Sequence, residues 1–170
     1  MPAHRNRLRT GDYFLKINIK KLLICLAVPL AVGGLSALLT KDNMLMFEWV
    51  KKPPLSPPGW LFPVVWTLLH LLMGLASYFV SASGKPKKQV NAALTLYGVQ
   101  LFFNFLWSII FFNLGNYLFA LIWLLILWLL IIATTRRFFS IDKRAGYLML
   151  PYLAWVTFAA YLNYGIYKLN

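Results

Sequence analysis

Apolar residues gather in five long uncharged runs, separated by short segments that carry charges, prolines or glycines. A bilayer core about 30 Å thick needs about 20 such residues per helix. The uncharged stretch 90–135 is too long for one helix rising about 1.5 Å per residue, and the polar, turn-forming segment 113–116 divides it. The pattern therefore predicts five membrane spans, at about 22–39, 60–81, 90–112, 117–135 and 145–167.

The runs are continuously apolar, whereas strands of a membrane barrel alternate apolar and polar residues over about ten positions. The sequence therefore predicts an all-α bundle. Composition agrees, because 61% of the 170 residues are hydrophobic and 12% are charged, against about 45–50% and about 25% in soluble domains. The single cysteine, Cys25, excludes an intramolecular disulfide framework. The chain is thus expected to be a polytopic protein embedded in the lipid bilayer.

Basic residues are distributed unequally between the two sides of the predicted bundle. Thirteen of the 17 Lys and Arg residues flank the spans on the N-terminal side. Since the cytoplasmic side keeps the excess, we expect the N-terminus inside, with 1–21 as a basic cytoplasmic tail, and the C-terminus outside. The net charge of +13 then reflects the anionic membrane surface, and we expect no nucleic-acid partner. A signal peptide is a competing interpretation, although 22–39 exceeds the usual apolar region of about 7 to 15 residues.

Polar residues inside the spans are few and therefore informative. Four of them are His70, Gln100, Asn104 and Asn163. Spacings of three and four place these residues and several aromatic ones on one face of spans two, three and five. The three stripes are Trp66, His70, Met73 and Ser77; Tyr97, Gln100, Asn104, Trp107 and Ser108; and Tyr152, Trp155, Ala159 and Asn163.

Convergence of the three stripes would give a pocket with aromatic walls and neutral hydrogen-bonding groups, suited to a flat and largely apolar ligand. The alternative is that the same residues hold the helices together. His70 alone is either a packing residue or a metal or haem ligand. The sequence has no Cys, His, Asp or Glu cluster with metal-ligand spacing and no pair of buried carboxylates. It therefore predicts no metal site and no firm catalytic residue.

Two pairs of small residues lie one turn apart in the first span, Ala27 with Ala31 and Gly33 with Ala37. Such pairs let helices approach closely, so they predict either a homodimer face or packing within the chain. We find no internal repeat and no matching broken spans, which are typical of secondary transporters. Transport is therefore the less favoured alternative.

Three segments together resemble the tryptophan-rich sensory protein and translocator protein family (TspO/MBR, peripheral benzodiazepine receptor). The first is the proline-rich entrance to span two, 52–66, which reads KPPLSPPGWLFPVVW. The second is YGVQL at 97–101, followed by Asn104 and Trp107. The third is PYLAW at 151–155, followed by LNY at 162–164. The resemblance covers roughly 22–170 and leaves out the basic tail.

The resemblance implies a five-helix bundle, commonly dimeric, that binds porphyrins such as protoporphyrin IX and haem beneath the first loop and requires no cofactor. Such a protein acts as a sensor, carrier or regulator of tetrapyrrole handling. Alternatives are light-dependent porphyrin breakdown and transport of small hydrophobic ligands. The positions carried over by matching motif are Trp60, Trp66, Asn104, Trp107, Trp155, Ala159 and Leu162; the stripe residues His70, Gln100, Tyr152 and Asn163 complete the predicted ligand-binding set.

Within this set, Trp60 and Trp155 are the candidates for any photochemical role. The propionates of a tetrapyrrole are anionic, so Lys51 and Lys52 in the first loop are candidates to pair with them.

The chain departs from the family pattern at Phe119, where animal members have a pocket tryptophan, and at His70, where a tyrosine is frequent. The resemblance therefore gives no basis for assuming affinity for animal drug ligands. The charge bias predicts a bacterial cytoplasmic membrane, with the mitochondrial outer membrane as the alternative that the family implies.

Overall fold

Five helices make up the fold, which is known from a computed structural model that describes residues 17–44 and 49–170. All regular structure within these ranges is helical. Each of the five is long and apolar enough to cross a membrane, so the predicted all-α bundle is confirmed. The helices are α1 (Ile19–Met44), α2 (Leu61–Ser81), α3 (Lys87–Ser108), continued by a π-helical turn (Ile109–Asn113), α4 (Tyr117–Ile141) and α5 (Lys143–Leu169).

Helices continue beyond the apolar runs that predicted them. The fourth run was expected to end at Thr135, but α4 continues to Ile141 and includes the exposed Arg136 and Arg137. Long basic side chains keep their charged ends in water while their stems lie along the helix, so they do not interrupt it. The expected basic tail falls largely on residues 1–16, which lie outside the described residues.

The helices pack as a ring in which α1 contacts α2, α2 contacts α5, α5 contacts α4, α4 contacts α3, and α3 returns to α1. The single residue Asp142 joins α4 to α5. Its carboxylate accepts a hydrogen bond from the Arg144 backbone N–H at 2.8 Å and pairs with the Arg144 guanidinium at 2.8 Å. An Asp at this position satisfies a free N–H group and favours the start of the helix.

Large side chains fill the half of the bundle that lies away from the first loop. In this inner half, the Tyr97 and Phe138 rings lie 5.7 Å apart between α3 and α4. The fully buried residues around them include Met73, Ala76, Val80, Ala93, Ile131 and Met149. The close packing of this half holds the four helices α2, α3, α4 and α5 in place relative to one another.

Helix α1 is the least buried of the five and is held against α2 by a close backbone approach. A Cβ added at Gly74 would lie 2.8 Å from the Cys25 carbonyl oxygen, so only glycine fits there. At the other end of α1, the Asn43 side chain donates to Asn113 Oδ1 at 2.9 Å. The helix is therefore attached near its two ends, with its second half facing the interior of the ring.

The described part of the first loop, 49–60, packs on the last turns of α5. Pro53 is buried against Gly165, where an added Cβ would lie 2.5 Å from the proline ring. The Tyr161 hydroxyl donates to the Pro54 carbonyl at 2.9 Å, and Asn170 Nδ2 donates to the Lys51 carbonyl at 3.0 Å. The loop is thus fixed at the outer end of the bundle, next to the C-terminus.

Candidate functional site

A cavity of about 250 Å³ lies in the outer half of the bundle, between α1, α2, α3 and α5. The second halves of α1, α3 and α5 run towards the first loop, and α2 begins there, so these four segments surround the same space. Its walls are Leu30, Gly33, Gly34, Ser36, Ala37, Thr40 and Met44 of α1; Phe62, Pro63, Trp66, Thr67 and His70 of α2; Asn104, Trp107, Ser108, Phe111 and Phe112 of α3 and the π turn; and Ala159, Leu162, Asn163 and Ile166 of α5.

The stripes predicted on spans two, three and five converge on this cavity. Seven residues of the predicted set line it, two or three from each helix. They are Trp66, His70, Asn104, Trp107, Ala159, Leu162 and Asn163. The two tryptophans face each other with ring centroids 6.5 Å apart and planes 34° from parallel.

Hydrogen bonds hold the amide side chains of the cavity in place. Trp107 Nε1 donates to Asn163 Oδ1 at 3.3 Å, and Asn163 Nδ2 donates to the Tyr117 carbonyl at 2.8 Å. Asn104 Nδ2 donates to the Tyr152 hydroxyl at 3.0 Å. These contacts join α3, α4 and α5, so the amides also serve as the interhelical packing groups that the alternative interpretation expected.

Tyr152 and Gln100 lie behind the wall instead of in it. The Tyr152 ring is fully buried and supports the Trp66 ring at a centroid distance of 6.2 Å. Gln100 is fully buried, with its amide nitrogen 3.7 Å from the Met73 sulfur. Tyr152 therefore supports a cavity side chain from behind, whereas Gln100 packs against Met73, which is not part of the cavity wall.

Four other predicted residues lie outside the wall. Trp60 precedes α2 and is 68% exposed. Trp155 packs outside the wall, with its ring edge-on to Phe62 at 6.0 Å. Lys51 and Lys52 are exposed on the first loop, at the same end of the bundle as the cavity.

Helix α1 supplies a wall that the three stripes did not include. Gly33, Gly34 and Ala37 line the cavity, as does Thr40, whose hydroxyl donates to a backbone carbonyl of its own helix at 2.9 Å. These side chains are small or hydrogen-bond within their own helix, so α1 had no stripe of aromatic or unpaired polar residues from which a cavity wall could be predicted. The spacing of Gly33 and Ala37 predicted either a homodimer face or packing within the chain; in the structure both residues line the cavity, and Gly33 also lies against the His70 ring.

The cavity is neutral. Its lining contains no Lys, Arg, Asp or Glu, and no group of three His, Cys, Asp or Glu side chains in 17–44 and 49–170 could hold a metal ion. Its polar groups are imidazole, amide, indole and hydroxyl groups. Such a lining suits an apolar ring and can orient it through a few hydrogen bonds.

Comparison with known proteins assigns the chain to a family. The model of the TspO/MBR family matches residues 25–169. The chain belongs to the TspO/MBR family. A tryptophan-rich protein TspO from Chlorobaculum tepidum is 39% identical over 153 residues, covering 89% of this chain and 97% of the relative. The Archaeoglobus fulgidus protein of the same name is 38% identical, covering 91% and 99%, and the bovine translocator protein is 34% identical, covering 84% and 86%.

Family membership and five apolar helices together make the chain an integral membrane protein of the TspO/MBR type. The two positions at which the resemblance implied a departure from the family pattern have different surroundings. Phe119 is 44% exposed on α4, away from the cavity wall, whereas His70 is buried within that wall. Of these two side chains, the His70 imidazole is the one that belongs to the cavity wall.

Proposed function

We propose that the protein binds porphyrins within the membrane and acts as a sensor, carrier or regulator of tetrapyrrole handling. The neutral cavity, whose wall includes the Trp66 and Trp107 rings, supports this proposal most directly. A tetrapyrrole is a flat aromatic ring, and indoles stack on such rings favourably. Because no charged side chain lines the cavity, it favours the apolar body of a tetrapyrrole over a small water-soluble anion.

The size of the cavity adds a requirement. Sites for drug-sized ligands usually measure about 300–1,000 Å³, and this one measures about 250 Å³. A tetrapyrrole must therefore widen it. Helix α1, the least buried wall with Gly33, Gly34 and Ala37 on the cavity side, is the element that we expect to move outwards.

The first loop supports an orientation for the bound ring. Lys51 and Lys52 lie at the outer end of the bundle, where the ring's propionates would reach water. Replacing both lysines by alanine is expected to weaken protoporphyrin IX binding at low salt and to have little effect at high salt, because exposed charge pairs are screened. Unchanged affinity at low salt would remove the lysines from the proposal but leave the cavity in place.

The deciding experiment is a titration of the detergent-purified protein with protoporphyrin IX in the dark, followed by tryptophan quenching. Ala37 lines the cavity, and Ala31 is an exposed residue of α1 outside it. Ala37→Trp fills the cavity and is expected to abolish saturable binding, whereas Ala31→Trp is the matched control and is expected to bind like wild type. Equal binding by both variants would refute the cavity as the site.

The light-dependent alternative uses the same preparation. Trp60 and Trp155, its candidate residues, do not line the cavity, so we place binding ahead of photochemistry. Illumination that converts bound porphyrin into a new product, with the conversion lost in Trp155→Phe, would reverse that order. The bovine relative is named a translocator, and net flux of porphyrin across proteoliposomes would likewise favour transport.

The charge bias supports insertion in a bacterial cytoplasmic membrane with the N-terminus inside, which places the cavity in the outer half of the bilayer. Single cysteines introduced at Ala82 and Leu114, in a Cys25→Ser background, test this orientation. Both residues are exposed, one in the turn after α2 and the other in the turn before α4, and both have negative φ angles that a cysteine can adopt. Only the cysteine at position 114 is expected to react with an impermeant thiol reagent in intact cells, and the reverse pattern would overturn the assignment.

A further inference from the structure

Four buried side-chain atoms in the described part of the chain have no hydrogen-bond partner, and one of them belongs to a cavity residue. That atom is His70 Nε2. The other three lie outside the wall, on Tyr97, Gln100 and Trp155. His70 itself is 4% exposed. Leaving a buried polar atom unpaired is unfavourable, so its presence on a residue of the cavity points to a ligand.

The other ring nitrogen determines what Nε2 can bind. His70 Nδ1 lies 2.7 Å from the Trp66 carbonyl oxygen, which can only accept a hydrogen bond. Nδ1 therefore carries the proton and donates it, and the neutral ring keeps a lone pair on Nε2. Metal-bound histidines have this arrangement, in which the second nitrogen donates to a carbonyl and fixes the orientation of the ring.

We propose that His70 binds the iron of a haem-type tetrapyrrole through Nε2, so that the cavity prefers an iron porphyrin to the metal-free ring. The inference rests on the proposed function and names the class of ligand. A metal-free porphyrin carries N–H groups at its centre and offers no acceptor orbital to a lone pair. An iron porphyrin has open axial positions, and a single histidine is sufficient to hold it.

The surroundings of His70 show where the ring would lie. A Cβ added at Gly33 would be 2.9 Å from Nε2 and 2.7 Å from Cε1, so the backbone of α1 covers the axial nitrogen. Helix α1 must draw back from α2 for iron to reach Nε2. This is the same displacement that the size of the cavity requires, and it would open the space for the porphyrin between the imidazole and Gly33.

The cavity supplies one strong iron ligand. Its only sulfur belongs to Met44, eleven residues beyond Gly33 on α1 and therefore about 16 Å further along the helix axis. Met44 is too distant to share the iron with His70, so His70 would be the one cavity side chain that holds it.

The experiment compares haemin with metal-free protoporphyrin IX in the dark, using the full chain in detergent. Wild type is expected to bind haemin about tenfold or more tightly than protoporphyrin IX, since lost interactions at metal sites typically cost about 10–100-fold in affinity. After reduction, the haemin-loaded wild type is expected to show the absorption spectrum of a histidine-ligated haem. His70→Leu is expected to lose that spectrum and the preference while still binding the metal-free ring. Added imidazole is expected to restore the spectrum in His70→Gly.

The chain contains one other histidine, His4, so His4→Ala is the matched control and is expected to behave like wild type. Loss of the spectrum in His4→Ala, or its retention in His70→Leu, would overturn the inference. A wild type that binds protoporphyrin IX without preferring haemin would also overturn it, with the proposed function intact. A wild type that binds neither compound would instead refute the proposed function.

Discussion

Replacing Gly33 by alanine places a methyl group directly against the His70 ring, at 2.7 Å from Cε1, 2.9 Å from Nε2 and 3.0 Å from Nδ1. The neighbouring Gly34 has no atom within 4 Å of an added Cβ. Both glycines line the cavity on α1. Comparing the two alanine variants therefore isolates the contact with His70, because both substitutions are on the same helix and change its intrinsic helix propensity by the same amount.

The expected magnitude follows from the distances. Ordinary contact begins at 3.4 Å, so the imidazole must retreat by about 0.7 Å, which would stretch its 2.7 Å bond to the Trp66 carbonyl beyond the usual limit of about 3.2 Å. Overpacking costs about 1–3 kcal/mol and a lost hydrogen bond within a membrane about 0.6 kcal/mol. Replacing glycine by alanine also stabilises the helix itself by up to about 1 kcal/mol, but this gain is the same in both variants and cancels in their difference. We expect Gly33→Ala to be less stable than Gly34→Ala by about 2–3 kcal/mol.

The assay is reversible unfolding in mixed detergent micelles, following tryptophan fluorescence for wild type, both alanine variants and the corresponding double mutants with His70→Ala. If the ring carries the penalty, removing it makes Gly33→Ala nearly neutral, and the mutant cycle gives a coupling energy of similar size to the penalty. Equal stabilities for Gly33→Ala and Gly34→Ala would refute the placement of His70 against α1, and with it the account of the covered nitrogen.

Two further predictions concern other hydrogen-bonded positions. Asn163→Leu removes the acceptor of Trp107 Nε1 and the donor to the Tyr117 carbonyl, and is expected to destabilise the bundle by about 1–2 kcal/mol in the same assay; unchanged stability would show that the amide has no structural role. The hydrogen bond from Arg144 holds the pKa of Asp142 below its usual range, so its contribution is present above the unfolded pKa of about 3.9 and lost as pH falls through the lower folded pKa. Asp142→Asn is accordingly expected to be less stable than wild type by about 0.5 kcal/mol at pH 7, since the pair is partly exposed, with no difference at the acid end; a gap that persists there would contradict the prediction.

The number and order of the helices could be predicted because uncharged length is a physical requirement for crossing a bilayer. The break at 113–116 could also be predicted, because its residue types suit a turn: Gly115 takes a positive φ of 60°, and the Asn116 side chain caps α4 by accepting from the Phe119 backbone N–H at 3.0 Å. The end of α4 could not be predicted, because Arg136 and Arg137 can belong to a helix that continues outside the hydrocarbon. Charge marks the membrane boundary, and a capping residue marks the helix boundary.

Helical spacing was sufficient to predict that the three stripes converge. It was not sufficient to predict which residues of each stripe reach the cavity wall. Trp155 shares a helix face with Ala159 and Asn163, yet it packs against Phe62 outside the wall. The reason is that the position of a side chain around the cavity depends on how far each helix is shifted along its neighbour. That shift is set by close contacts such as the approach of Gly74 to the Cys25 carbonyl, which no periodicity in one helix reveals.

The polar residues of the membrane interior separate into two groups by what they bind. Asn104 and Asn163 use their amides to join helices, so their presence is explained without a ligand. His70 has one nitrogen held by its own helix and the other unpaired beside a glycine of the least buried helix. An apolar residue of similar size would avoid the cost of that unpaired atom. If the cavity binds a tetrapyrrole as proposed, its selectivity for one ring over another is therefore expected to depend on the imidazole more than on the amides that first marked the site.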